Sequence, residues 1–361
     1  MLSFTIQTAK GPRTIGNGQP TFIIAEMSAN HMQNYETAVE IVRAAAKAGV
    51  DAIKLQTYTP DSMTIDCDKE WFKVGGGGNP DSWSTETLYS IYQKSSTPLE
   101  WHAPLKQLAE KLGLVFFSSA FDGPAVDFLE SLNVSLYKIA SYEVTHIPLL
   151  KKIANTRKPV IISTGFASQE EVELAIQTLR QHGTKDICVL HCVTAYSSNP
   201  NIEEINLKTM IDIRDRYNVI CGFSDNNAGM EIPLQAVNMG ASVIEKHVVV
   251  SSKEKTLDAN FSLDSKSLKK FVDSVRRAEK ISGKVNYGIQ GKAEEHNLRY
   301  RRSIFITENV KKGELLTAKN IRVIRPGLGL APKYYEEILG KKAKEDIERG
   351  IPLQWNLINE V

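Results

Sequence analysis

Lys54 in "DAIKLQTY", Lys138 in "SLYKIAS", Glu143 just past it, and Glu245 and His247 in "SVIEKHV" are ionisable residues set into or beside apolar runs of this 361-residue chain. Their types specify chemistry. Two lysines with several hydroxyls suit a phosphate or carboxylate on a small anionic substrate. His247, with oxygen ligands near it, can hold a divalent metal that polarises a carbonyl. Glu26, Glu143 and Glu245 offer carboxylates for proton transfer or for steadying a cationic transition state. Burying such charges one at a time is costly, so they must converge on one another or on a charged ligand. Strand alternation puts Glu245 and His247 on one face, and Lys54 and Gln56 likewise.

The elements that must position them follow from the hydrophobic pattern. Apolar strands are expected at 21–28, 51–58, 114–119, 135–141, 159–164, 186–192, 219–225 and 242–248. Amphipathic helices lie between them. "LKQLAEKL" aligns Leu105, Leu108, Ala109 and Leu112. "SQEEVELAIQTLRQHG" opens with a Ser168/Glu171 capping box and stops near Gly183. "LKKFVDSVRRAEKISG" aligns Leu268, Phe271, Val272, Val275 and Ala278. Eight strands alternating with helices favour an α/β fold closed as a (β/α)8 TIM barrel over an open doubly wound sheet. In such a barrel the active site lies where strands end and loops begin. The polar residues fall there repeatedly: Glu26 with Asn30 and His31; Lys54 and Gln56; Ser118 and Ser119; Lys138, Ser141 and Glu143; Ser163 and Thr164; His191 with Thr194 and Tyr196; Ser224, Asp225 and Asn226; Glu245, Lys246 and His247. The stretch 59–103, with "GGGG" at 75–78, reads as an insertion after the second strand, either a loop over the barrel mouth or a surface excursion.

From about 283 the pattern changes. We read 1–282 as the barrel, 283–302 as a polar linker and 303–361 as a small β-rich domain, near the lower size limit for independent folding. The formal net charge of +2 and the lack of a dense basic run argue against nucleic-acid or membrane-surface binding. Nothing reaches membrane-spanning length, and "MLSFTIQTAKGPRTIG" lacks the features of a signal peptide. The four cysteines have no CxxC spacing, which fits a reduced, cytoplasmic protein.

"FIIAEMSANH", "DAIKLQTYTP", "IISTG", "GFSD" and "IEKH" resemble the sialic acid synthase family, and "RRSIFI" with "IRPGLGLAPKYYEEILGKKA" resembles its C-terminal antifreeze-like (SAF) domain. The resemblance spans essentially the whole chain and is closest to the pseudaminic acid branch. It implies condensation of phosphoenolpyruvate with the open-chain aldehyde of an N-acetylated amino sugar, with loss of phosphate by C–O cleavage. By the same resemblance, Lys54, Gln56, Ser119, Lys138, Ser141 and Ser163 would hold phosphoenolpyruvate. Glu143 would sit near its carbon 2. Glu26, Thr194, Tyr196 and Asp258 would meet the sugar, and His247 would ligate Mn2+ or Mg2+. Arg325 in "RPG" would reach into the barrel of a partner subunit, because the family forms domain-swapped dimers.

The chain departs from that family at "SDNN", where Asn226 stands in place of a second metal-binding histidine. An amide oxygen is a harder ligand than imidazole and favours Mg2+ or Mn2+. Three readings follow: a working site with altered metal preference, a site that uses Asp225 or His191 instead, or an impaired relative. Ala120 in "FSSAFD" and the "AYSS" after strand six depart from a usual proline. The legionaminic and N-acetylneuraminic acid branches are the alternatives for the sugar. A Schiff-base aldolase using Lys138 or Lys246 is a second mechanism. A sugar-acid or phosphate-binding protein on a decayed barrel is the non-enzyme reading.

Overall fold

The structure, a computed structural model, describes residues 2–74, 86–194, 196, 198–253 and 256–359. It divides into two compact units, Met1–Gly283 and Lys284–Val361. The expected glycine-rich loop at 75–78 lies outside the described residues.

The chain opens with a hairpin that the sequence reading did not anticipate. Strands β1 (Ser3–Thr8) and β2 (Gly11–Gly16) pair antiparallel, from Ser3 opposite Gly16 to Thr8 opposite Gly11. Gly11 takes a positive φ of 105° at the turn, a conformation that favours glycine. Phe4, Ile6 and Ile15 bury themselves together with Phe22, Ile24, Val115, Phe117 and Val243.

Those partners belong to the barrel. Strands β3 (Phe22–Glu26), β4 (Ala52–Thr57), β5 (Val115–Ala120), β6 (Tyr137–Ile139), β7 (Val160–Ser163), β8 (Ile187–Cys192), β9 (Ile220–Asp225) and β10 (Val243–His247) close parallel into one ring, with β10 pairing β3. All eight expected strands are present. Helices α1 (Tyr35–Ala48), α2 (Pro60–Met63), α3 (Leu88–Ser95), α4 (Leu99–Leu112), α5 (Gly123–Ser131), α6 (Ile147–Ala154), α7 (Gln169–Gln181), α8 (Lys208–Tyr217), α9 (Glu231–Asn238) and α10 (Ser265–Ser282) connect them. Of these, α2 and α3 belong to the excursion between β4 and β5. The α7 capping box forms as its sequence implies, the Glu171 amide donating to Ser168 Oγ at 3.3 Å and the Ser168 amide to Glu171 Oε2 at 2.8 Å.

Parity along each strand sorts the residues. One set, including Ile23, Ala25, Ile53, Leu55, Phe116 and Ile162, packs with the helices. The other set points into the ring, and it changes character from bottom to top. Its lower members are apolar: Phe22 and Ile24, Ala52, Val115 and Phe117, Ile161, Cys188 and Leu190, Ile220, Val243. Its upper members are polar: Glu26, Lys54 and Gln56, Ser119, Lys138, Ser163, Ser224, Glu245 and His247. The hairpin therefore closes the apolar end, and the polar end is left as a cup. Gly222 marks how tight the interior is, since a Cβ there would meet the Val243 carbonyl oxygen at 2.2 Å.

The second unit contains α11 (Lys292–Asn297), an antiparallel pair β11 (Ser303–Ile306) and β12 (Ile321–Ile324), and a short α12 (Tyr335–Ile338). Isolated bridges such as Val310 with Ile347 and Ala343 with Ile358 knit the rest. Ile304, Ile306, Leu316, Ile321, Ile338 and Leu353 form a core of its own. Among the described residues, no helix is long and apolar enough to cross a membrane.

Candidate active site

The cup is a cavity of about 460 Å³ at the C-terminal ends of the strands. It gathers Glu26, Lys54, Gln56, Ser119, Lys138, Ser141, Glu143, Ser163, Tyr196, Asn226, His247 and Asp258, all expected from the sequence. Thr194 is not among its lining residues, although it lies on the same loop as Tyr196. Arg325 belongs to the second unit.

Glu245 is the hub of the charged floor. Its Oε1 accepts from Lys54 Nζ at 2.9 Å, from Lys138 Nζ at 3.1 Å and from Ser224 Oγ at 3.2 Å. Lys54 also pairs with Glu26 Oε2 at 2.9 Å and donates to Ser119 Oγ at 3.4 Å. Glu26 Oε1 accepts from the Ser28 amide at 2.9 Å and from Gln56 Nε2 at 3.2 Å. Burial opposes every charge here, and the outcome differs by neighbour. For Glu245, burial is outweighed by Lys138 and Lys54, which hold its carboxyl down to about 2. Glu26 goes the other way: burial raises it, with Glu245 adding to the rise and Lys54 opposing. Burial lowers Lys138 despite Glu245. Lys54 is raised, because two carboxylates outweigh its burial.

Glu143 stands apart from that network. Burial lifts its carboxyl to about 7, against the pull of Lys138, and its Oε2 is buried without a hydrogen-bond partner. Ser163 Oγ is likewise unpartnered. A carboxyl poised near neutrality within reach of the Lys138 and Lys54 charges, in a cavity that also holds an unpartnered hydroxyl, suits the binding of an anion and proton traffic at its edge.

On the other side, Asp258 Oδ2 accepts from the Ala29 amide at 3.3 Å and lies 4.0 Å from His247 Nδ1. His247 Nδ1 is buried and otherwise unpartnered. Burial, and then Lys54, drive its pKa down to about 3, so the imidazole is neutral near pH 7 and its lone pair is available. Asn226 Nδ2 donates to Cys192 Sγ at 3.2 Å. Among the described residues no three His, Cys, Asp or Glu side chains gather as a ready metal cage. The donor set instead fits a hard divalent cation held by few protein ligands, a neutral imidazole with an amide beside it, which completes its shell from substrate or water.

Several residues singled out in the sequence face elsewhere. Lys246 and Asp225 alternate with the inward set, so they point to the helix side, where they pair with each other at 2.7 Å. His191 alternates with Cys192 and donates through Nε2 to the Ile205 carbonyl, 2.7 Å away. Asp225 and His191 therefore do not stand in for a lost metal ligand. Asn30 and His31 are fully buried props. Asn30 Nδ2 donates to the Val248 carbonyl at 2.8 Å, and His31 Nε2 meets Thr97 Oγ1 at 3.1 Å. Ser118 turns outward onto Thr57.

The cavity also has residues that strand reasoning missed. Tyr58, Met63, Val74, Leu88, Ile91 and Tyr92 line it from the described parts of the β4–β5 excursion, which thus supply a wall of the cavity. The excursion has no single period from which its inward face could be read.

A closed eight-stranded barrel with a cationic and carboxylate-rich mouth, in a chain that also carries a small β unit, is the architecture of an α/β-barrel enzyme. The chain belongs to the NeuB family: residues 41–287 match the NeuB family model, and residues 301–359 match the SAF domain. It is 42% identical to a pseudaminic acid synthase of Helicobacter pylori over 93% of this chain and 97% of that one. It is 40% identical to a pseudaminic acid synthase of Campylobacter jejuni over 94% of this chain and 98% of that one. Among solved structures, it resembles an N-acetylneuraminic acid (sialic acid) synthetase of Leptospira borgpetersenii in complex with citrate. That match has a TM-score of 0.70 and 29% identity, over 83% of this chain and 96% of the other.

Proposed function

We propose that the chain is a nonulosonic acid synthase that condenses phosphoenolpyruvate with 2,4-diacetamido-2,4,6-trideoxy-altropyranose in its open-chain form, yielding pseudaminic acid and phosphate. The observation that carries this reading is the convergence of Lys54, Lys138, Glu143, Glu245 and His247 on one cavity. The proposed roles follow from their chemistry. Lys54, Lys138, Ser119, Ser141 and Ser163 hold the phosphate and carboxylate of phosphoenolpyruvate, with Gln56 beside them. The π electrons of its enol attack the sugar aldehyde from carbon 3, forming the C–C bond, and the aldehyde oxygen takes up a proton. Glu143 steadies the cationic carbon 2 and accepts a proton from the water that adds there. The C–O bond to phosphate then breaks as the new carbon 2 hydroxyl gives its proton to the departing phosphate, leaving the 2-keto acid. Glu26, Tyr196 and Asp258 orient the sugar, with Thr194 on the same loop.

A divalent cation, Mn2+ or Mg2+, held by His247 with Asn226, would supply Lewis-acid polarisation of the aldehyde. The assembly we propose is a domain-swapped homodimer in which Arg325 of one copy serves the barrel of the other. All four cysteines are free, which suits a reduced cytoplasm.

Phosphate release from phosphoenolpyruvate with a panel of acetamido sugars and Mn2+ tests the proposal. Release with the diacetamido sugar, and a product of the summed mass, is expected. Background release with every sugar overturns it.

A further inference from the structure

His102, Thr57 and Ser118 are fully buried on the helix side of β4 and β5, and none of the three lines the cavity. His102 enters from α4, its ring edge-to-face with Phe128 at 5.2 Å and with Phe116 at 6.5 Å. Burial holds its pKa down to about 4, so near pH 7 the imidazole is neutral and carries one ring proton. The Pro98 carbonyl, 3.2 Å from Nδ1, can only accept, which puts that proton on Nδ1. Nε2 is then an acceptor, and the Thr57 hydroxyl donates to it at 2.8 Å. Thr57 Oγ1 in turn accepts from Ser118 Oγ at 2.6 Å, a closer contact than the 3.3 Å from Ser118 Oγ to the Ser119 carbonyl. The chain of hydrogen bonds therefore has one direction, from Ser118 through Thr57 to His102, and it ties β5, β4 and α4 together.

Its neighbours along the strands belong to the charged floor. Gln56 precedes Thr57, Ser119 follows Ser118, and Gln56 and Ser119 stand opposite each other in the β4–β5 register. Both face the cavity, where Ser119 Oγ accepts from Lys54 Nζ at 3.4 Å and Gln56 Nε2 donates to Glu26 Oε1 at 3.2 Å. On its other edge β5 shares a single register pair with β6 among the described residues, Ser119 opposite Lys138. The top of β5 is thus held chiefly from the β4 side, and the clasp sits one residue from each inward group. We propose that His102 is a positioning residue: through Thr57 and Ser118 it fixes the height of Gln56 and Ser119 in the anion site. The proposal rests on the synthase reading above in naming phosphoenolpyruvate as the anion. An apolar trio of similar volume would stabilise this layer about as well, so what the imidazole and hydroxyls add is direction, a set spacing between two strand ends. A displacement of about 1 Å at a binding group costs its ligand up to roughly a hundredfold.

Calorimetric titration of the full chain with phosphoenolpyruvate alone reads the anion site without turnover. Thr57→Val keeps the shape and removes the hydroxyl, so it should weaken phosphoenolpyruvate binding by roughly tenfold, and Thr57→Ser should restore it. A glutamine oxygen falls near the place of Nε2, and an asparagine reaches only that of Nδ1. His102→Gln should therefore bind close to wild type, and His102→Asn roughly tenfold more weakly. Both His102 variants lose the ring's packing and should melt below wild type, so the affinity, and not the melting temperature, separates them. In steady state Thr57→Val should raise KM for phosphoenolpyruvate and leave KM for the sugar unchanged. If the His102 variants fail to fold, the two Thr57 variants carry the comparison. Folded Thr57→Val that binds phosphoenolpyruvate as tightly as wild type reduces the chain to packing and overturns the inference while the synthase reading stands. Wild type that binds no phosphoenolpyruvate overturns both.

Discussion

Lys246 Nζ lies 2.7 Å from Asp225 Oδ2 with neither side chain exposed to solvent, on the face of β9 and β10 opposite the cavity. Lys246 also donates to the Asn227 carbonyl, and Asp225 Oδ1 accepts from the Asn227 amide at 3.1 Å. The knot braces the strand ends from behind. Residues 226, 245 and 247, which alternate with it, are the ones that face inward. Breaking such a pair by removing one partner strands a charge, so Lys246→Met should lower stability by about 3–5 kcal/mol. Lys246→Met with Asp225→Leu should recover much of that loss. Urea denaturation measures both, and a single variant as stable as wild type would show that the pair does not hold this corner.

The same geometry removes Lys246 as an amine for carbonyl chemistry and leaves Lys138 as the lysine to examine. Its ammonium is lowered by burial, yet it remains tied to Glu245 at 3.1 Å. In the proposed reaction it binds an anion and forms no imine. Borohydride with pyruvate should add no mass to the protein, and Lys138→Met should raise KM for phosphoenolpyruvate by roughly ten- to a hundredfold. A borohydride-trapped adduct on Lys138 would replace the synthase mechanism with a Schiff-base one.

Glu143 makes the site sensitive to pH. Its carboxyl, lifted to about 7 by burial, is neutral below that value and ionised above it. If the carboxylate is the active form, kcat/KM rises with pH through about 7, and Glu143→Gln loses that limb as well as most of the rate. Stability responds in the opposite sense. A carboxyl raised in the folded state keeps a proton that the unfolded chain has already released. Stability therefore falls as pH rises from the unfolded value near 4.5 to about 7, and is level above that. Glu143→Gln should raise the melting temperature at about pH 8, by a free energy of at most about 3 kcal/mol, and leave it unchanged near pH 4. A wild-type profile flat through neutrality would exclude this carboxyl as the titrating group.

Much of this site could be read from the chain because strand parity and barrel polarity act together. Once "AIKLQT" and "VIEKH" are strands of one closed ring, Lys54, Glu245 and His247 must share its mouth. Parity applied less strictly misleads: Asp225 and His191 each sit one residue from an inward-facing neighbour, and so they face the helices. The weight of Glu245 as a hub was not visible either, because it depends on which lysines converge on it from strands 107 and 191 residues away. The hairpin at the start is marked only by Phe4 and Ile6 alternating with Thr5 and Gln7. That pattern is too short to show that it closes a barrel. The apolar wall comes from an irregular excursion whose inward face is set by tertiary packing alone.

Arg325 allows a test that separates the proposed assembly from the chemistry. Arg325→Ala should raise KM for the sugar without changing the melting temperature of the barrel. If the arginine acts across a dimer, mixing and refolding Arg325→Ala with the inactive Glu143→Gln chain should restore part of the activity, since some mixed dimers then carry one complete site. Recovery no greater than the sum of the two homodimers would confine Arg325 to its own barrel or remove it from the site.

Asn226 is the position that tests how a cation would be held. His247 Nδ1 is buried without a hydrogen-bond partner, 4.0 Å from Asp258 Oδ2, and the position just past β9 carries an amide whose nitrogen donates to Cys192 Sγ. With that nitrogen engaged, the amide would contribute through its oxygen, a hard donor suited to Mn2+ or Mg2+ but without the added strength of a second imidazole. Asn226→His should tighten Mn2+ binding by about tenfold, equivalent to about 1.4 kcal/mol, and shift preference toward softer ions. His247→Ala should abolish tight binding in either background. Calorimetric titration of the folded proteins with Mn2+ alone reads this without turnover. Unaltered affinity in Asn226→His would take position 226 out of the metal site and leave His247 to act with Asp258 and the substrate.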